Sequence, residues 1–143
     1  MTKLTSLFYL VFLYSLSCTD NNNPFIIHEM ELDATWNIQE VTAPSFPVKG
    51  VEPKSGLAIK FKPDETYMFK MTTDRCYGKY ETSKDKTLEI SRPGCSKDYC
   101  DFTWDWYVAT LLDKVTRFTI DDDKIVLIID DKNFITAQKE ASK

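Results

Sequence analysis

Residues 57–72 read Leu-Ala-Ile-Lys-Phe-Lys-Pro-Asp-Glu-Thr-Tyr-Met-Phe-Lys-Met-Thr, and this stretch decides the fold. Leu57, Ile59 and Phe61 alternate with Ala58, Lys60 and Lys62. Tyr67, Phe69 and Met71 then alternate with Met68, Lys70 and Thr72. Apolar side chains at every second position put one face of a strand in a core. Between the two runs, Lys62-Pro63-Asp64-Glu65 is turn chemistry: proline presets its φ and Asp binds nearby backbone. The stretch therefore predicts two antiparallel strands in a hairpin.

The same pattern extends on both sides. Residues 77–82 and Leu88, Glu89 and Ile90 form a second pair, joined by the polar Ser83-Lys84-Asp85-Lys86. Phe118 and Ile120 open a third group, which Asp121-Asp122-Asp123 turns into residues 125–129. Asp130-Asp131-Lys132-Asn133 turns it again into residues 134–137. Residues 125–129 are apolar throughout, as in a strand covered on both faces, or on one face with something packed outside. Upstream, residues 27–34 fit a short helical turn. Residues 35–41 read as the first strand, with Trp36, Ile38 and Glu40 on one face. Pro44, Pro47 and Pro53 make residues 42–54 a loop. One segment breaks the period: Trp104, Val108, Leu111 and Val115 follow helical spacing, and Asp101 or Thr103 suits the N-cap. The predicted fold class is mainly β, α+β by content. It is a curled antiparallel meander or partly closed barrel, with one late helix at about 102–115 covering the barrel mouth.

The chain has 143 residues, with 18 Lys+Arg against 22 Asp+Glu and a net charge of -4. Such a balance argues against nucleic acid as a partner, because phosphate binding needs a basic face. Residues 1–17 read as an export signal: Lys3 is followed by an apolar run too short for a bilayer span, then by small residues up to Cys18. A small residue directly before Cys resembles the lipobox of bacterial lipoproteins, and looser boxes like Ser15-Leu16-Ser17-Cys18 resemble those of Bacteroidetes. This resemblance implies that Cys18 is acylated and becomes the mature N-terminus, anchoring the protein to the outer membrane without a spanning helix. The alternative is a plain secretory signal. Residues 18–26, polar and closed by Pro24, form a tether, and residues 27–140 form one domain. Loss of residues 1–17 removes Lys3 alone among the charges, leaving -5. If Cys18 carries lipid, Cys76, Cys95 and Cys100 remain, enough for one disulfide. Each of the three pairings is open, and their spacing without a nearby His suits zinc poorly.

Thr35-Trp36-Asn37-Ile38, the Ile-Lys-Phe strand closing on Pro-Asp, Cys76-Tyr77-Gly78-Lys79-Tyr80, Leu88-Glu89-Ile90 and a helix with Leu111-Leu112 and Val115 follow one another in order. Across residues 31–139 this resembles the META domain family, including heat-shock-associated bacterial outer-membrane lipoproteins and lipocalin-like secreted proteins. The resemblance implies a curled antiparallel β-structure with a packed helix, and no catalytic residues.

His28 is the lone histidine, and no Gly-x-Ser-x-Gly elbow accompanies it. The Asp residues at 121–123 and 130–131 lack the Gly and distal Glu of a calcium loop and read as turn residues. Asp101 suits a cap, while Asp105 and Asp113 are expected to face water, so no acid–base pair is assigned. Trp104, Trp106, Tyr107, Tyr99 and Phe102 cluster, and Trp106 beside Tyr99 is the candidate recognition patch. The expectation is a non-enzymatic, lipid-anchored envelope protein without cofactor or metal. Its work is binding or envelope support under stress, with an envelope protein or a small apolar ligand as partner. The alternatives are a lipocalin-like carrier of that ligand and a proteinaceous inhibitor of an envelope enzyme.

Overall fold

The computed structural model describes residues 31–96 and 103–142. Nine strands form one antiparallel sheet: β1 Thr35–Thr42, β2 Ala58–Phe61, β3 Thr66–Lys70, β4 Arg75–Thr82, β5 Leu88–Ile90, β6 Gly94–Cys95, β7 Arg117–Asp121, β8 Lys124–Ile128 and β9 Phe134–Lys139. Their order is β5-β4-β3-β2-β1-β9-β8-β7, with β6 extending the free half of the β4 edge. The two ends of this series meet. Thr87 bridges Arg117, the Leu88 N–H donates to Thr116 O (3.0 Å) and the Phe118 N–H to Lys86 O (3.1 Å). The meander thus curls into a nearly closed barrel, which leaves only a short seam without a full ladder.

The hairpin expected from residues 57–72 is present, with Lys60 opposite Met68 and Phe61 opposite Tyr67. Its inward residues, together with Trp36, Tyr80, Phe118, Leu127 and Ile135, fill the barrel at 0–2% exposure. The Phe61 ring stands edge-on to Tyr80 with centroids 5.0 Å apart. The polar tips of Tyr67, Tyr80 and Trp36 each have a partner, as a dry interior demands. The Tyr67 hydroxyl donates to Ser91 O (2.6 Å), that of Tyr80 to Lys62 O (2.7 Å), and Trp36 Nε1–H to Leu32 O (3.0 Å).

Two details of the strands differ from expectation. A bulge between Ile38 and Glu40 shifts the β1–β9 register. One extra residue reverses the side on which later residues emerge, so Glu40 is exposed rather than sharing the face of Trp36. In β8, Ile125 and Leu127 are fully buried while Val126 and Ile128 are half-buried on the outer face. The apolar run is therefore a one-sided strand with an apolar exterior.

The helix, α1, spans Trp104–Leu112 and is shorter than the predicted 102–115. Thr103 is its N-cap, Oγ1 accepting the Trp106 N–H (3.4 Å), and Asp113 ends it. Trp104, Val108, Leu111 and Val115 are all buried, so the helical spacing identified the core face. Tyr107, Ala109 and Leu112 are buried as well. The loop after β1 covers part of this second side at Phe46. The Tyr107 hydroxyl donates to Phe46 O (2.7 Å), and Phe46, Val48 and Val51 pack on the core. Asn133, fully buried, pins the loop from the other side: its Oδ1 accepts the Ser45 N–H (3.0 Å) and its Nδ2 donates to Ser45 Oγ (2.9 Å) and Asp130.

Candidate functional site

With the interior filled by its own side chains, the site has to be sought on the outside of the barrel. A cleft of about 490 Å³ lies at the β3–β4 end, lined by Lys70, Met71, Thr72, Thr73, Asp74, Arg75, Tyr77 and Ser96. The strand register builds it. Lys70 pairs with Arg75 and Met68 with Tyr77, so outward side chains of neighbouring strands stand side by side. Tyr77 is 53% exposed and is the large apolar residue left open among the described residues.

The turn below these side chains is held from both ends. Asp74 Oδ1 accepts the Arg75 N–H (2.7 Å) and the Ser96 hydroxyl (3.0 Å). Asp105 Oδ2 accepts the Thr72 N–H at 2.8 Å. Asp105 was expected to face water and instead is 4% exposed, with Oδ1 buried and unpaired. The helix uses this carboxylate to fasten the β3–β4 turn beneath it. Asp113 is also drawn in, half-buried against Arg92 (3.0 Å) and beside Lys114 (3.7 Å), and ties the helix end to the residues after β5.

Of the three cysteine pairings, the structure forms Cys76–Cys95, directly opposite one another on β4 and β6 with Cα atoms 4.2 Å apart. The bond anchors β6, and with it Ser96, at the rim of the cleft. Cys18, His28, Tyr99, Cys100, Asp101 and Phe102 lie outside the described residues. Trp106 is half-buried and packs against the core. The structure therefore does not bring the candidate recognition patch of Trp106 and Tyr99 into view.

A second cleft, of about 690 Å³, runs between the bulged part of β1 and residues 53–57, with Trp104 at its floor. Its lining mixes Gln39, Glu40, Lys54 and Ser55 with Ile38, Val41 and Leu57. The two clefts differ in charge. The first gathers Lys70 and Arg75 around hydroxyls and one aromatic ring, a set that suits anionic groups. Sequence reasoning noticed the alternating lysines of residues 57–72 but missed this grouping. Only the pairing of β3 with β4 brings Arg75 and Tyr77 beside Lys70 and Met68.

At the acidic turns, several carboxylates are held below their usual range. The Ser83 hydroxyl, then the Thr87 hydroxyl and N–H, lower Asp85 to about 2. Thr66 lowers Asp64, and the Lys132 N–H with the Asn133 amide lowers Asp130. These Asp residues serve their own turns. Burial raises the Tyr67 phenol despite its bond to Ser91, as expected of a structural group. Among the described residues no helix is long and apolar enough to cross a membrane.

No family model and no curated protein matches the chain. Among solved structures, the chain is similar to a DUF4847 family protein from Bacteroides vulgatus ATCC 8482. The TM-score is 0.60 and the identity 17%, over 82% of this chain and 99% of that one. At that identity the likeness is one of fold.

Proposed function

We propose that the chain is a non-enzymatic lipoprotein of the bacterial cell envelope, attached to the outer membrane through Cys18, with a META-like barrel that binds on its outer surface. The filled interior carries this reading. Trp36, Phe61, Tyr67, Phe69 and Tyr80 occupy the space in which a lipocalin-like carrier would hold an apolar molecule. An inhibitor would be favoured by a protruding 42–54 or 95–100 loop; in the first, Ser45 and Phe46 are bonded down to Asn133 and Tyr107, and residues 97–100 lie outside the described residues. Export is supported by the leader and by the disulfide between Cys76 and Cys95, a bond favoured in oxidising compartments. Likeness in fold to a Bacteroides protein is consistent with the looser lipobox.

The polar groups of the cleft at the β3–β4 end fit binding better than catalysis. Asp74, its carboxylate, is engaged by Ser96 and the Arg75 backbone, and the rest are cations and hydroxyls. Metabolic labelling with a palmitate analogue tests the anchor. The wild-type chain should carry label and Cys18→Ala should not. Equal labelling of the two removes the lipoprotein reading.

A further inference from the structure

On the exterior of β2, β3 and β4 the outward positions are Lys60, then Thr66, Met68 and Lys70, then Arg75, Tyr77, Lys79 and Glu81. Four cations therefore share one face with the single carboxylate of Glu81, on a chain whose net charge is -4. Glu81 sits at the far end of β4, opposite Glu89 of β5. Lys60, Lys70, Arg75 and Lys79 are all exposed. The ion pairs among the described residues use Arg92, Lys114 and Arg117 instead. Positive charge has been gathered on these outward strand positions, and the one carboxylate of the adjoining cleft, Asp74, is engaged by Ser96 and the Arg75 N–H. A solvated face of no further use would interleave both signs.

We propose that this face lies against an anionic lipid surface and binds its phosphate headgroups. Three observations select a membrane over a compact anion. First, the cations are spread, about 14 Å along β4 from Arg75 to Lys79 and about 10 Å across from β2 to β4. That spacing addresses several headgroups and leaves the four side chains too far apart to converge on one anion. Second, Tyr77 and Met68 pair at the centre of the cationic ring. A half-exposed tyrosine has an apolar body and a polar tip, the chemistry favoured at a headgroup boundary. Third, Thr35 pairs with Lys60, so the described chain, which begins at Glu31, enters the barrel beside this face. The face deepens the lipoprotein reading and rests on it for its setting in the envelope. Several acyl chains hold the protein at the bilayer, and the cations fix which side of the barrel is turned toward it.

The test uses the full chain made without acylation, sedimented with phosphatidylcholine vesicles that contain or lack phosphatidylglycerol. The neutral vesicles report whatever the leader contributes, so the difference between the two belongs to the face. Stronger sedimentation with phosphatidylglycerol is expected, weakening as salt rises. The triple variant Lys70→Glu/Arg75→Glu/Lys79→Glu should lose that difference by roughly a hundred-fold, since each basic residue at an anionic surface contributes a factor of about five. Lys124→Glu/Lys132→Glu, on the β8–β9 side, should stay within about two-fold of wild type. All altered positions are exposed, so thermal melts of the variants should match wild type and exclude misfolding. Equal sedimentation with both vesicles overturns the proposal, as does a triple variant that binds like wild type. Retention on a soluble acidic polysaccharide without phosphatidylglycerol-dependent sedimentation also overturns it, in favour of a soluble polyanion. Because the chain is not acylated, the outcome is separate from the palmitate test. Labelled Cys18 with indifferent vesicles keeps the anchor and discards the face.

Discussion

Gly78 shows how tightly single residues are constrained inside the barrel. It lies on β4 opposite Tyr67. A Cβ built there would stand 2.5 Å from Tyr67 Cε1 and 2.8 Å from Ser91 Oγ. The ring cannot retreat, because its hydroxyl is bonded to Ser91 O at 2.6 Å and its body is fully buried. Gly78→Ala is therefore expected to destabilise the protein by about 1–3 kcal/mol, the usual range for overpacking. Chemical denaturation of the two proteins reads this directly, and a loss below about 0.5 kcal/mol would show that Tyr67 moves aside. Gly78 was readable in the sequence only as part of a strand. Its requirement comes from a partner across the sheet, and cross-strand contacts follow from register, which one sequence leaves open.

At the scale of elements, strands and helix were legible because each obeys a period. Leu57, Ile59 and Phe61 needed only alternation, and Trp104, Val108 and Leu111 only helical spacing. What escaped was set by neighbours. Asp105 turned inward because the β3–β4 turn offers the Thr72 N–H, and Glu40 turned outward because of a bulge. β6, a two-residue strand, has no period to read, and its place follows from pairing with β4 through the Cys76–Cys95 bond. Replacing both cysteines, in Cys76→Ser/Cys95→Ser, should cost about 2–4 kcal/mol, since the bond closes a loop of 19 residues. Denaturant unfolding of this variant checks it, and an unchanged midpoint would mean that the ladder alone holds β6. The β4–β5 turn makes a second prediction at this scale. Asp85 is lowered from 3.8 to about 2 by Ser83 and Thr87. A carboxylate depressed in the folded state adds stability above its unfolded value, and that stability is lost as pH falls toward the folded one. Thermal melts should therefore drop between about pH 4 and pH 2. The drop should be shallower in Asp85→Asn, though Asp64 and Asp130 keep part of it. Identical slopes would show that the turn forms without the charge.

For the whole molecule, the decisive feature is how the barrel closes. Every internal strand has a ladder on both sides, but β5 and β7 meet through the Thr87–Arg117 bridge and two flanking hydrogen bonds. Beneath the seam lies Phe118, buried at 1% exposure, and beside it Leu88, fully buried. The side chains thus close the barrel more firmly than the backbone does. A sheet in which one junction has few bonds opens there first, because local unfolding begins where the fewest contacts must be broken. Native-state hydrogen exchange should accordingly find the Leu88 and Phe118 amides, which bond across the seam, less protected than those of Lys60 and Met68 in the middle of the β2–β3 ladder. Phe118→Ala should widen the gap, since it removes the side chain that spans the junction, and should leave the β2–β3 amides ordered by the same ranking. If instead all four amides exchange together at the rate of global unfolding, the barrel opens only as a unit. Phe118 and Leu88 would then have to hold the seam as strongly as a full ladder holds the other strands.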